Sequence, residues 1–353
     1  MKIDVKAMSL REKIGQTMMI QNPEEYVERF GSVEAFLEKY PVGAVYLGSE
    51  PAGGPIGESK ADSEVMEEFK RCSKYPLLIG GECNNWEEDG QWFAMPKQMA
   101  LGAADDAELA HQWGRVLGDA ARKGGRHWIF GPVADLNLNP DNPVINVRSL
   151  CDDPELTERL LTRVVEGIQS CGVAATAKHF PGHGTEGIDP HVARCSITQT
   201  REEWESTYGR AFGSLIECGL ASVMTAHAAL ECYQSREEEN EGLYKVATLS
   251  RDITTGLLKE KMNFKGVVVT DGLIMGGFSG SNTDLEIESF LCGSDVLLWP
   301  SLEYMVSNPM WVREPWGSKP SGERMWSASV SRIPEWDLPR KRWKKLIVRL
   351  ERQ

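Results

Sequence analysis

The chain has 353 residues, enough for one large domain or two ordinary ones, with a formal net charge of −13 and eight cysteines. An acidic balance of this size opposes non-specific attachment to nucleic acid or an anionic membrane, whose phosphates demand clustered Lys and Arg, and it favours a neutral or small ligand. The opening Met1-Lys2-Ile3-Asp4-Val5-Lys6 lacks the apolar core of a secretory signal, no stretch approaches the roughly 18 apolar residues of a membrane span, and the cysteines form no C-x-x-C pair. The expectation is a cytoplasmic protein with reduced, structural thiols.

In chain order, short apolar runs recur at 16–20, 42–47, 76–81, 127–133, 173–177, 221–226, 266–270 and 295–299. Amphipathic stretches separate them, among them 105–123, 154–169, 201–217 and 250–262, the last opened by the capping residues Ser250 and Asp252. Strands that alternate with helices pair in parallel, and eight repeats predict an α/β fold of the (β/α)8 TIM-barrel type, with a doubly wound sheet as the alternative. In a barrel the chemistry sits just after the strand C-termini, where Asp135, His179, His227 and Asp271 fall. The barrel is expected over residues 1–305. Residues 306–353 differ, with five tryptophans, 11 Lys plus Arg against 5 Asp plus Glu, and four prolines between Pro309 and Pro334. Only 323–333 and 340–350 read as helical there, which predicts an irregular segment leading into a helical cap.

The densest chemistry lies in Lys178-His179-Phe180-Pro181-Gly182-His183-Gly184 and the following Asp189-Pro190-His191, read as a loop projecting from the strand at 173–177. Gly182–Gly187 matches the G-x-G-x-x-G spacing, but Ile188-Asp189-Pro190 interrupts the helix that a dinucleotide fingerprint must open. His179 and His183 are four apart, yet Pro181 and Gly182 forbid the helix that would bring both to one metal, and no H-E-x-x-H glutamate or neighbouring cysteine completes a zinc site. No metal and no cofactor are therefore expected.

Asp189 and His191, two apart, suit a carboxylate that fixes an imidazole tautomer for acid/base work; an exposed loop pair without a role fits the spacing equally well. A second constellation, Lys265-Gly266-Val267-Val268-Val269-Thr270-Asp271-Gly272-Leu273-Ile274-Met275, delivers Asp271 at the end of an apolar strand. That aspartate is either a reacting group or a cap on the next helix.

Together, Lys178–Gly184 with Asp189 and His191, Asp271–Met275, Pro132-Val133-Ala134-Asp135 with Asn142-Pro143 and Arg148-Ser149, and Leu10–Gln16 resemble family 3 glycoside hydrolases, in their β-N-acetylhexosaminidase branch. The likeness runs in order from about residue 10 to 299, and its most specific block is K-H-F-P-G-H-G with the following D-x-H. The resemblance implies a retaining, exo-acting β-N-acetylglucosaminidase, with Asp271 as nucleophile, His191 as acid/base and Asp189 as its orienting partner. An imidazole with an ordinary pKa near 6.5 can donate a proton to a leaving oxygen and later accept one from water at neutral pH. Its Gly- and Pro-bounded loop is expected to carry His191 into place when substrate binds.

Lys178, His179 and Arg148 match family residues that bind sugar hydroxyls. His183 is read as loop scaffold and Asp135 as a structural acid. The chain departs from the family pattern at Glu82-Cys83-Asn84-Asn85-Trp86-Glu87-Glu88-Asp89-Gly90, where relatives carry an aspartate followed by Q-E-G-G-R. Glu82 can replace that aspartate as acceptor for two hydroxyls, the arginine has no counterpart, and Trp86 or Trp92 is either a sugar-stacking face or core. The expected partner is a small or oligosaccharide substrate, without nucleic acid or membrane; oligomeric state is left open. Phosphorolysis at the same site, a glucose- or xylose-type sugar, and a non-catalytic sugar-binding barrel are the alternatives.

Overall fold

The computed structural model describes residues 5, 7–47, 64–82, 85–88, 91–240, 243–278 and 285–300. Eight parallel strands form one sheet: β1 Met18–Ile20, β2 Ala44–Tyr46, β3 Leu78–Gly81, β4 Trp128–Ile129, β5 Ala174–Phe180, β6 Ser222–Thr225, β7 Val267–Thr270 and β8 Leu297–Leu298. Their spatial order is their order in the chain, with β8 beside β1. A parallel bridge between Val269 and Val296 joins β7 to β8 and closes the ring. Each strand lies within or across one of the eight apolar runs, so the barrel expectation holds and the open doubly wound sheet does not.

The continuous apolar character of these strands follows from burial on both faces. Inside the barrel Met19, Ala44, Leu78, Trp128, Met224, Val267, Val269 and Leu298 pack together, and the Trp128 indole donates to the buried Thr176 hydroxyl at 2.6 Å. Outside, Leu160, Val164, Val165 and Ile168 of helix Pro154–Ser170 pack with Val173, Ala175 and Ala177 from β5 and the residue before it. That helix crosses Ala107–Lys123 at close range, because a side chain at Gly167 would sit 2.3 Å from the His111 carbonyl and one at Gly114 2.3 Å from the Val164 carbonyl. Asp106 and Asp153 cap the two helices through the N–H groups of Glu108 and Leu109, and of Glu155 and Leu156.

Three expectations need adjustment. The helix expected over 201–217 is two, Arg201–Ser206 and Tyr208–Glu217, broken at Thr207, whose backbone leaves the helical region. The helix expected from Ser250 is wide, of π type, over Asp252–Lys261, although Ser250 Oγ does accept the Ile253 N–H at 3.1 Å. Finally, Lys178, His179 and Phe180 belong to β5 rather than to a loop, since Ala134 N–H donates to the Lys178 carbonyl and Ala226 N–H to the Phe180 carbonyl, both at 2.7 Å. The 306–353 segment lies outside the described residues, as do the side chains of Trp86 and Trp92.

Candidate active site

The strand C-termini gather the predicted residues at one end of the barrel. Glu82 follows β3, Asp135 and the single-turn helix Asn146–Arg148 follow β4, Lys178 and His179 end β5, and Asp271 follows β7. The bulge in the β5–β6 register between Ala177 and Phe180 re-aims two successive side chains, and both turn out to be functional candidates.

The buried Lys178 ammonium meets Glu82 Oε1 at 2.7 Å, and the Arg148 guanidinium approaches the same oxygen at 4.0 Å. A lysine at this position is tolerable because that carboxylate, 96 residues earlier, neutralises it. Glu82 is thus an ion-pair partner as well as a candidate acceptor for hydroxyls, and two cations flank the place where a sugar would bring them.

His179 is held from behind. Asp135 Oδ2 accepts both its backbone N–H at 3.0 Å and its ring Nδ1 at 2.7 Å. Burial, above all, pushes the imidazole well below its ordinary pKa, against the opposing pull of Asp271, so the ring is neutral. A neutral ring that donates Nδ1–H to a carboxylate presents Nε2 as an acceptor, and Nε2 lies 3.9 Å from Asp271 Oδ2. Asp135 therefore does more than the structural work expected of it: it selects the tautomer of a sugar-binding candidate. Burial raises its own carboxyl to about 6, opposed by His183, the His179 N–H and Arg148.

Asp271 is 19% exposed at its side chain and accepts the Gly272 N–H at Oδ1, 2.8 Å. Burial acts to raise its carboxyl, but His179, His227, the Gly272 N–H and Lys178 together leave it below the ordinary carboxylate value, hence ionised at neutral pH. A charged carboxylate at a strand end, partly open to solvent, has the state a nucleophile requires. His227, noted from its position but given no role, donates Nε2–H to the Gly272 carbonyl at 2.9 Å and so fixes the peptide next to Asp271; its own pKa is lowered by burial.

The dyad forms as its spacing suggested. His191 Nδ1 lies 2.6 Å from Asp189 Oδ1, which also accepts the His191 backbone N–H at 2.8 Å. Burial works to raise the Asp189 carboxyl, yet these two bonds and the nearness of the imidazole bring it below its usual value. The imidazole side chain is 59% exposed. Its turn docks on the segment after Asp271: Gly276 N–H donates to the His191 carbonyl at 2.9 Å, and a side chain at Gly276 would sit 2.7 Å from the Val192 carbonyl. The loop's far end is tied down by Cys195–Ile197, which pairs in parallel with Ala228–Leu230.

His183, expected to scaffold the loop, is buried. Its Nδ1 lies 2.8 Å from Glu186 Oε2; burial acts to lower the imidazole's pKa, but Glu186, with Asp135 and Asp271, leaves it raised. Asn142 Nδ2 donates to the Glu186 carbonyl at 2.8 Å, locking this loop to the one after β4. The His179 and His183 rings meet edge to face at 6.2 Å with their Nδ1 atoms bound to different carboxylates. Among the described residues no group of three or more His, Cys, Asp or Glu side chains is placed to hold a metal ion, and no helix is long and apolar enough to cross a membrane.

Known proteins resemble the chain in sequence and fold. The chain is 35% identical over 281 residues to a β-hexosaminidase A of Pseudoalteromonas piscicida, covering 75% of this chain and 46% of the relative. It is 32% identical over 211 residues to a β-N-acetylglucosaminidase/β-glucosidase of Cellulomonas fimi, covering 58% of this chain and 37% of that one. The chain thus spans less than half the length of these two relatives. A solved family 3 β-N-acetylglucosaminidase from Paenibacillus sp. str. FPU-7 superposes with a TM-score of 0.79 at 29% identity, covering 98% of this chain and 63% of the other. The model of the glycosyl hydrolase family 3 N-terminal domain matches residues 9–311, and the chain belongs to that family.

Proposed function

We propose that this chain is a retaining, exo-acting β-N-acetylglucosaminidase that removes terminal residues from small glycans such as cell-wall fragments, working in the cytoplasm. The observation that carries the reading is the pairing of an ionised Asp271, 3.9 Å from a tautomer-fixed His179, with a preformed Asp189–His191 dyad docked on the segment that follows it. The names of the relatives supply the sugar. In this reading Glu82, Arg148, Lys178 and His179 bind the terminal sugar; residues 1–305 are the barrel and 306–353 an appended segment.

Asp271 attacks the anomeric carbon while the His191 ring gives a proton to the departing oxygen, so the C–O bond to the aglycone breaks as the C–O bond to Asp271 forms. His191, now lacking that proton, takes one from water, and the resulting hydroxide attacks the anomeric carbon and frees Asp271. Two inversions give net retention. Asp189 holds Nδ1–H throughout, which leaves Nε2 as the atom that exchanges the proton.

The test is covalent trapping. A 5-fluoro-β-N-acetylglucosaminyl fluoride should add one glycosyl group to the wild-type protein by mass spectrometry and none to Asp271→Ala, and Asp271→Ala and His191→Ala should each suppress turnover of an aryl β-N-acetylglucosaminide. Labelling that persists in the Asp271 variant would refute the assignment. Phosphate-dependent release of a sugar 1-phosphate would select phosphorolysis, a reading supported by an acid/base candidate that is an imidazole and repels an incoming phosphate less than a carboxylate does. Turnover of aryl glucosides or xylosides alone would change the sugar, and binding without turnover would select a non-catalytic barrel.

A further inference from the structure

Three exposed apolar side chains adjoin the proposed reacting groups in the chain. Of the eight large hydrophobic residues that stand out from the surface among the described residues, Ile188, Val192 and Ile274 lie beside the proposed reacting groups: Ile188 precedes Asp189, Val192 follows His191, and Ile274 is three residues after Asp271. They are 49%, 72% and 60% exposed, and Ile188 and Val192 bracket an imidazole that is itself 59% exposed. Two of them belong to one docked unit, since the His191 carbonyl accepts the Gly276 N–H and the Val192 carbonyl lies against the Cα of Gly276, two residues beyond Ile274.

The proposed chemistry fixes which side of the substrate these residues face. An acid/base group must reach the oxygen that leaves, so the turn carrying His191 stands on the aglycone side of the scissile bond. The sugar side is already occupied by Lys178, Glu82, Arg148 and His179, all charged or polar. The two sides of the site therefore differ in weight: ion pairs and hydrogen bonds dominate toward the sugar, where Val147 beside Arg148 is the one exposed large apolar side chain adjoining a named residue among the described residues, and apolar side chains dominate toward what leaves.

Resting on the functional reading above, we infer that Ile188, Val192 and Ile274 form a leaving-group subsite that selects aglycones with an apolar face, aryl or alkyl in kind, over fully hydroxylated ones. The subsite is shallow and rim-like. It adds affinity by removing apolar surface from water at about 25 cal/mol per Å2, without the hydrogen bonds that would reject a different leaving group outright.

The inference is tested by binding, independently of turnover. Dissociation constants are measured by calorimetry for phenyl and methyl 1-thio-β-N-acetylglucosaminide on the full chain, on Val192→Ser and Ile274→Ser, and on Leu109→Ser as a control on the exposed face of helix Ala107–Lys123. Wild type and Leu109→Ser should bind the phenyl compound roughly tenfold more tightly than the methyl one. That ratio should fall to roughly threefold in either serine variant and toward unity in the pair. A ratio near one in wild type, a ratio unchanged in the Val192 and Ile274 variants, or one lowered equally by Leu109→Ser overturns the subsite. An intact ratio in a protein that turns over no glycoside would sink the catalytic reading and leave the subsite standing, whereas folded protein that binds neither compound overturns both.

Discussion

Replacing Asp135 by asparagine keeps the shape of the side chain and removes its charge, which separates two consequences of the buried contact with His179. The first concerns stability. An unfolded aspartate ionises near 3.8, whereas burial raises the folded carboxyl to about 6, so between those values the folded state holds a proton that the unfolded state has lost. Stability from this group is accordingly complete below pH 3.8 and is lost as pH rises through about 6. A shift of that size amounts to about 3 kcal/mol.

Asp135→Asn has no proton to exchange, so its unfolding free energy, followed by urea denaturation at a series of pH values from 4 to 7.5, should lack that decline. The difference between wild type and variant should grow by about 3 kcal/mol toward neutral pH, in the variant's favour, while contributions from groups distant from Asp135 cancel on subtraction. The second consequence is catalytic: a neutral amide holds the His179 tautomer less firmly, and kcat/KM should fall roughly 10- to 100-fold, as when other histidine-orienting partners are removed. A variant more stable at pH 7 yet less active would carry the signature of a charge kept for function. Parallel pH–stability curves would refute the reasoning, because they would mean that Asp135 does not pay the desolvation penalty assigned to it.

Glu82→Ala strands the buried Lys178 ammonium and should cost about 2–4 kcal/mol by chemical denaturation, less than a fully buried pair because the Glu82 side chain is itself 31% exposed; a loss below about 1 kcal/mol would show that the pair is energetically idle. His191→Ala should lower kcat/KM roughly a thousandfold for a sugar leaving group but less than tenfold for dinitrophenolate, which departs without a proton; equal losses on both would argue against His191 as the acid. Gly167→Ala forces a methyl group to within 2.3 Å of the His111 carbonyl and should destabilise the protein by about 1–3 kcal/mol in urea, with no change in the ratio of activities on different aryl glycosides.

The barrel was legible because strands buried on both faces must be apolar throughout: Val267–Thr270 and Ser222–Thr225 lie inside runs bounded by glycine or by helix ends. Where polarity begins before the strand ends, that logic fails. Lys178 and His179 look like loop residues in sequence, yet they extend β5, and only the neighbouring segment Pro132–Ala134 and the bulge beside β6 explain why. Within the site, proximity along the chain decided what could be read. Asp189 and His191 share one turn, so their pairing follows from spacing. The Asp135–His179 and Lys178–Glu82 contacts join residues 44 and 96 positions apart, and barrel register, which no local pattern encodes, brings them together. The break at Thr207 in the helix expected over 201–217 escaped for a related reason: amphipathic periodicity persists across it, and Trp204 still finds a buried place with its indole bonded to the Pro181 carbonyl.

The two ends of the proposed reaction are mounted on different kinds of structure. Asp271 hangs from the barrel itself, its N–H bonded to the Thr225 carbonyl of the neighbouring strand. His191 rides on a turn spliced between the strand end at Phe180 and the short pairing segment at Cys195, touching the segment after Asp271 through the Gly276 contact. Residues 187–194, between the His183–Glu186 contact and Cys195, are in that sense an exchangeable cassette: a different loop with a different proton carrier could be grafted there without cutting a hydrogen bond between barrel strands. If Asp271 and His191 act as proposed, one scaffold with a fixed nucleophile could in this way be given a new acid, and with it a new preference for what attacks the sugar in the second step.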